Sequence, residues 1–470
     1  MTEQLRQVGL KPTRSRRVEV KHVDAKGGDQ TAPGATIYAV ASGGGKAAIC
    51  VVRLSGRRCG EVLSRLTRRP VAPREAALRQ IWSPSTGTLI DQALVLYFQA
   101  PASFTGEDCL ELHLHGGRGV VAAVLRELGT LEGLRPAEPG EFTRRALLAG
   151  KLDLAEVEGL ADLIDSETEQ QRAQAVKQFS GGLTGHVALW RERLLEALAL
   201  VTAEIDFGDE GDVPADLIGT IRAHSAEVLG YVDAALAQQK GAARVRDGIS
   251  IVLAGPPNAG KSSLLNVLAG REAAIVSEYA GTTRDVIEVA LDIAGVPVWL
   301  VDTAGLREAE HPAEAEGIAR AQARAAQADL VLWLNAADEP RLEPPPKLST
   351  ELWRVTTKAD LAPGAAQAGE IALSVRSGVG LDALVTRLAD YVRERLPQEG
   401  VALLTRQRHV QACARASLAL RRIVEGGPEL AMDLLAADLQ QAARALAEVI
   451  GLIDVEQVLD DIFSRFCIGK

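Results

Sequence analysis

Residues Gly255 to Ser262 read G-P-P-N-A-G-K-S and fit the phosphate-binding pattern G-x-x-x-x-G-K-[ST]. Glycines let successive backbone N–H groups turn inward around a polyphosphate, and a helix N-terminus adds partial positive charge. On this pattern Ala259, Gly260 and Ser263 line the phosphates. The Lys261 ammonium reaches the β- and γ-phosphates, and the Ser262 hydroxyl ligates Mg²⁺. Further on, Val298 to Gly305 reads V-W-L-V-D-T-A-G. Asp302 ends an apolar run and is placed to hold Mg²⁺ through water. Thr303 and Ala304 lead to Gly305, whose N–H suits a γ-phosphate. Between these motifs, Gly281 to Asp285 reads G-T-T-R-D, and Thr283 is the residue expected to complete the Mg²⁺ shell.

The base is set by Thr357-Lys358-Ala359-Asp360. One carboxylate accepts from both N1–H and the exocyclic amine of guanine, whereas adenine offers no donor at either place. The Lys358 stem can lie on the base face. Ser374, Val375 and Arg376 follow a short apolar run and can present backbone N–H groups to the base oxygen. Asn258, just before Ala259-Gly260, suits a carboxamide ligand for a monovalent cation, with carbonyls from the Ser277–Thr282 segment. Positive charge at the β–γ bridge stabilises the leaving group. Other chemistry-bearing residues carry less. His113 and His115 alternate on one strand but lack a third ligand, so packing is expected. Asp206, Asp209, Glu210 and Asp212 read as a solvated helix end.

These groups need elements to hold them. Ile249–Ala254 is an apolar run suited to a buried parallel strand, and residues 262–269 continue as a helix that stops at Gly270. Residues 35–150 mix β-rich runs (37–40, 48–54, 93–98 and 109–115) with Gly/Pro turns. Apolar spacings of three and four mark helices over 152–200, 218–239, 406–425, 430–450 and 455–463. The expected layout is a multidomain chain of α/β plus α type. Residues 1–34 form a polar tail, 35–150 an α+β domain, 151–247 with 397–470 a discontinuous all-helical domain, and 248–396 an inserted α/β domain. An insertion of this kind needs chain ends that lie close together.

The 470-residue chain is 47% apolar with a net charge of −10, so it shows no global nucleic-acid footprint and no unambiguous basic patch. Its five cysteines are scattered without C-x-x-C, which points to a reducing cytoplasm rather than to disulfides or zinc. No apolar run reaches membrane-spanning length, so no membrane role is expected.

With these motifs in place, the chain resembles the tRNA modification GTPase MnmE (TrmE) family from about Thr36 to Lys470. The resemblance rests on Ala100–Gly117 (A-P-A-S-F-T-G-E-D-C-L-E-L-H-L-H-G-G), on P-G-E-F-T-R-R-A-L-L-A-G-K-L-D-L from Pro139, on I-D-F at Ile205 and on the terminal F-C-I-G-K. It implies a folate-binding-like N-terminal domain that forms a homodimer, and an inserted Ras-like GTPase domain. It places a folate such as 5-formyl-tetrahydrofolate at Arg53, Glu111, Lys151 and Lys470, and potassium at Asn258, Ser277, Tyr279 and Thr282. Glu314 matches the acid that positions the hydrolytic water, and Cys467 a cysteine needed for modification. The implied activity is potassium-stimulated GTP hydrolysis. It is coupled, in a heterotetramer with the FAD-dependent partner MnmG, to aminomethyl or carboxymethylaminomethyl addition at carbon 5 of the wobble uridine of certain tRNAs. An Era/Der-type ribosome-assembly GTPase is the alternative, and the C-I-G-K end argues against it. Two positions depart from the family. Ala47 and Ala48 stand where glycines are usual, so left-handed backbone there would be strained. Thr357 stands where the guanine motif usually has Asn, and a hydroxyl replaces one of that amide's hydrogen bonds but not several.

Overall fold

The computed structural model describes residues 34–43, 45–207, 217–271, 274–275, 288–302, 328–344, 351–397, 403–427 and 431–453, with Leu459, Ile462, Phe463, Phe466 and Gly469. The chain divides into two compact units. The first runs to Ala39, from Gly43 to Gln99 and from Glu107 to Pro136. The second takes Val40–Ser42, Ala100–Gly106 and everything from Ala137.

The first unit is built on a six-stranded sheet. Its strands are β1 (Thr36–Val40), β2 (Ile49–Ser55), β3 (Ala77–Trp82), β4 (Leu89–Phe98), β5 (Cys109–His115) and β6 (Leu134–Pro136), in the order β3-β4-β5-β2-β1-β6. Helices α1 (Cys59–Thr67) and α2 (Arg118–Thr130) pack on it. The antiparallel register of β2 and β5 pairs Val52 with Leu112 and Leu54 with Leu110, all buried on the helix side. Period-two alternation therefore sends Arg53, paired with Glu111, to the half-open face. The strands expected near 37–40, 48–54, 93–98 and 109–115 are all present. The edge strands β3 and β6 and the two helices are not among the elements expected from the sequence.

Among the described residues the second unit holds two large cores. One is helical: α4 (Leu154–Ile164), which touches α3 (Glu141–Leu148), α6 (Gly182–Phe207) and α7 (Leu217–Ala237) precede the nucleotide motifs in sequence, while α11 (Gln407–Glu425) and α12 (Met432–Val449) follow them. Residues from both sides, among them Val187, Leu194, Val228, Cys413, Leu420 and Leu446, share one buried cluster. A charged node joins the two halves. Glu158 of α4 is 1% exposed and accepts from Arg408 Nη2 (2.6 Å) and His409 Nε2 (2.9 Å). Arg408 Nη1 also donates to the Val449 carbonyl at the end of α12 (2.8 Å). Burial pushes the Glu158 carboxyl up, but bonds from His409 and Arg408 outweigh it and bring the pKa down to about 2. Burial keeps His409 neutral, with its pKa lowered.

The other core surrounds a seven-stranded sheet: β7 (Ile249–Ala254), β8 (Ala274–Ile275), β9 (Glu288–Ile293), β10 (Val296–Asp302), β11 (Leu330–Ala336), β12 (Glu351–Thr357) and β13 (Ile371–Ala372), ordered β13-β12-β11-β7-β10-β9-β8. Helices α9 (Lys261–Arg271) and α10 (Leu381–Arg395) contribute to its core. Entry and exit of this segment meet beside α5 (Glu169–Phe179). At the end of α8 (Gln239–Asp247), Arg246 Nη1 donates to the Thr405 carbonyl (2.7 Å), and Gln171 Nε2 donates to the Arg246 carbonyl (2.8 Å).

Candidate functional site

The sheet places its chemistry by topology. β7 lies between β11 and β10 and runs parallel to both, so the chain crosses to opposite sides of β7. Ligands of open α/β sheets sit in the crevice beyond the strand carboxyl ends at such a switch point. Ala254, Asp302, Ala336 and Thr357 end the four strands there. Gly255 leaves β7 at φ +142°, and a Cβ on it would lie 2.2 Å from the Leu334 carbonyl oxygen, so no side chain is tolerated. Asn258 (φ +62°) and Gly260 (φ +84°) then curl the loop into α9. Asn258 is exposed, and among the described residues no hydrogen bond pins its side chain to the loop. Lys261 opens the helix, 9% exposed, and its Nζ donates to the carbonyls of Gly255 (3.0 Å) and Pro256 (2.8 Å). Burial lowers its pKa and nearby Asp302 raises it. The Ser262 hydroxyl donates to Asp302 Oδ2 at 2.5 Å, while Ser263 is exposed beside it. A hydroxyl and a carboxylate in contact make an all-oxygen corner of the kind Mg²⁺ takes, with its other positions left to phosphate and water.

The base side is joined to this loop directly. Thr357 is 2% exposed, and its Oγ1 donates to the Ala259 carbonyl at 2.7 Å, with a longer contact to the Asn335 carbonyl at 3.4 Å. The hydroxyl thus supplies a tie between the base motif and the phosphate loop. Lys358 takes φ +52° and pairs with Asp338 at 2.9 Å. Asp360 is exposed, and a bond from the Ser374 hydroxyl holds its carboxyl below the usual range, so it is an acceptor at neutral pH. The Ala359 N–H to Leu373 carbonyl bond (3.1 Å) keeps the two segments together. Ser374 spends its own N–H on the Val379 carbonyl (2.9 Å). That leaves the N–H groups of Val375 and Arg376, which make no bond among the described residues, to face a base oxygen.

The structure thus brings together Asn258, Ala259, Gly260, Lys261, Ser262, Ser263, Asp302, Thr357, Lys358, Asp360, Ser374, Val375 and Arg376. Ser277, Tyr279, Thr282, Thr283, Thr303, Ala304, Gly305, Glu314, Cys467 and Lys470 lie outside the described residues. In the first unit Arg53 Nε donates to Glu111 Oε1 at 2.8 Å, and His113 Nε2 lies 3.4 Å from Glu111 Oε2. His115 is 72% exposed and stands 2.7 Å from Asp91, so it is not a packing residue, whereas His113 is half-buried beside Glu111. Lys151 belongs to the second unit and is exposed. No group of three potential metal ligands occurs among the described residues. Ala47 and Ala48 avoid the left-handed region, so they carry no strain. The close approach falls on Gly116 instead, where a Cβ would lie 2.3 Å from the Ala47 carbonyl oxygen. Near the chain end, Gly469 (φ +104°) packs so tightly that a Cβ would meet the Val40 carbonyl oxygen at 2.0 Å. The residues that sequence reasoning missed, Asn335 and Asp338, carry no local motif. No described helix is long and apolar enough to cross a membrane.

Residues 36–151 match the family model of the GTP-binding protein TrmE N-terminus, and residues 154–467 that of the MnmE helical domain. The chain is 52% identical over 436 residues to the tRNA modification GTPase MnmE of Beijerinckia indica, covering 93% of this chain and 96% of that one. It is 48% identical over 440 residues to the same-named protein of Rhodopseudomonas palustris, covering 93% and 99%. Among solved structures, Aquifex aeolicus Era bound to GDP and aluminium fluoride is similar at 23% identity over 36% of this chain and 66% of that one. Its TM-score of 0.26 is too low to carry an argument.

Proposed function

Since the chain belongs to the MnmE family of tRNA modification GTPases, we propose that it hydrolyses GTP and couples hydrolysis to modification of tRNA at carbon 5 of the wobble uridine. The observation that carries the reading is the continuous site from Lys261, Ser262 and Asp302 through Ala259 to Thr357 and Asp360. Loop N–H groups and the Lys261 ammonium neutralise the β- and γ-phosphates. Ser262 and Thr283 would hold Mg²⁺, which supplies charge neutralisation when bound. Asn258, with Ser277, Tyr279 and Thr282, would hold potassium against the leaving group. Asp360 selects guanine by accepting two hydrogens, and Glu314 positions the attacking water.

The finer reading follows the family. The layout is an N-terminal domain over 35–150, a helical domain over 151–247 and 397–470, and a GTPase domain over 248–396. The N-terminal domain dimerises and takes a folate one-carbon donor. Arg53 and Glu111 offer it a donor and an acceptor on a half-open sheet face, and the family resemblance adds Lys151 and Lys470. MnmG completes a cytoplasmic heterotetramer. The test is a strain lacking this protein, complemented with the native chain or with Asn258→Ala. We expect native complementation to restore the wobble modification, read by mass spectrometry of tRNA nucleosides. Hydrolysis by the purified native protein should be faster in K⁺ than in Na⁺ of equal strength, and Asn258→Ala should erase that difference. Unmodified tRNA after native complementation overturns the coupling, and equal rates in both salts overturn the potassium site.

A further inference from the structure

The segment from Arg57 to Arg79 holds seven arginines against two acids, Glu61 and Glu75, a local excess of five positive charges in a chain of net −10. No unambiguous basic patch is visible in the sequence, because these residues are spread over a helix, a turn and a strand. The fold gathers part of them along one border. β3 is one edge strand of the first unit's sheet, and the turn after α1 lies beside it. Arg79 of β3 donates its Nη2 to the Pro70 carbonyl (2.9 Å) and its Nη1 to the Leu78 carbonyl (3.0 Å), clamping the turn onto the edge. Arg68 lays its guanidinium over the Trp82 ring, 4.2 Å from the centroid. Arg69, next to the clamped Pro70, is exposed; its carbonyl accepts from the Thr67 hydroxyl (2.7 Å), and its guanidinium makes no bond among the described residues. Arg65 is paired with Glu61 at 2.8 Å, and Arg58 donates to the Glu132 carbonyl.

A second observation is independent of charge. Only five described residues other than glycine take a positive φ, and they are Arg68 (+56°), Arg74 (+64°), Asn258, Ala294 and Lys358. Asn258 and Lys358 belong to the nucleotide site. Such conformations are costly for a side chain with a Cβ and persist where function holds them. At Arg68, the position following a helix, glycine is the residue sterics favour. An arginine there gives up that ease and gains a guanidinium fixed on an indole. Charges that merely blunt a sheet edge can be of either sign and need no fixed geometry. Here one sign dominates and one member is pre-organised, which suits planar, bidentate recognition of phosphate.

We infer that the border formed by β3 and the turn after α1 docks the phosphate backbone of the RNA substrate, with Arg68 and Arg69 as its phosphate contacts. The inference rests on the tRNA reading above and names the surface that would meet the RNA. The test uses the full chain and an unmodified tRNA transcript, with affinity measured by fluorescence anisotropy between 50 and 200 mM KCl. At ~0.1 M salt each phosphate contact is worth a factor of about five to eight through counterion release. The Arg68→Glu/Arg69→Glu double variant should therefore bind roughly 25- to 60-fold more weakly, with a salt slope shallower by about 1.4 to 1.8. GTP hydrolysis should be unchanged, and the milder Arg68→Gln/Arg69→Gln pair should move both readings in the same direction. Arg172→Glu, an exposed charge on α5, should leave the slope alone. Native-like affinity and slope in both double variants overturn the surface alone. An equal effect from Arg172→Glu also overturns it, because bulk charge would then be the cause. If the native chain binds no tRNA even at 50 mM salt, the surface and the tRNA-binding reading fall together. If phosphatidylserine vesicles are retained through these arginines and tRNA is not, the partner is a membrane and the inference is wrong.

Discussion

Replacing Thr357 by Val tests whether the base motif organises the phosphate loop. The side chains are nearly isosteric, so the change swaps one hydroxyl for one methyl. What is lost is the 2.7 Å bond to the Ala259 carbonyl, made between residues that are 2% and 0% exposed. The 3.4 Å contact to Asn335 is too long to matter much. A buried hydrogen bond contributes about 1 kcal/mol net, and a carbonyl left short of a donor in a dry site raises the cost to about 3 kcal/mol. That range corresponds to roughly 5- to 150-fold in an equilibrium constant. Two equilibria share the cost. If the loop keeps its shape without nucleotide, the loss appears in unfolding of the nucleotide-free protein. If the loop loosens, binding must reorder it, and the loss appears in GTP affinity. Urea unfolding without nucleotide and fluorescent-GTP titration of the same variant read the two portions. We expect their combined loss to lie between about 1 and 3 kcal/mol, and Thr357→Ser, which keeps the hydroxyl, to restore most of it. A Val variant with native stability and native affinity would show that the bond ties nothing together.

Three further outcomes are expected. Glu314→Ala should bind GTP normally and turn it over much more slowly, because a water-positioning acid acts only when the switch segment is ordered; native turnover removes it from the mechanism. Deleting Cys467 to Lys470 should leave hydrolysis nearly intact while weakening formyl-tetrahydrofolate binding and abolishing tRNA modification. The tight seat of Gly469 on Val40 supports a held rather than frayed end, and modification by the truncated chain would show the end to be dispensable. Glu158, at about pKa 2 against an ordinary value near 4.3, contributes about 3 kcal/mol that is present above pH ~4.3 and lost as pH falls toward 2. Glu158→Gln should therefore flatten the loss of stability in that window, measured by urea unfolding at a series of pH values, and an unchanged acid slope would refute the assignment. Asp162, pushed up to about 6 by burial against the pull of Arg406, titrates with the opposite sign above that window.

How far the sequence could be read follows from the range of each interaction. Phosphates are met by consecutive N–H groups of one turn, so Gly255 to Ser262 must be contiguous and announces itself. β5 was legible because buried and more open positions alternate from Leu110 to His115. β3 was not, because an edge strand buries little and its Leu78 points to solvent, 59% exposed. The bonds that position the chemistry are longer-ranged still. Thr357 meets Ala259 across 98 residues, and Glu158 meets His409 across 251. No local period encodes such a pair; it exists only once parallel strands or two halves of a helical core have come together. The same reasoning explains why the hydroxyl at Thr357, read in sequence as a loss, has a definite role in the fold. A short side chain suffices when the strand end already stands beside the loop. The distance a side chain must span is set by the backbone, and one well-placed donor at 2.7 Å makes the tie to the loop without the amide's extra reach.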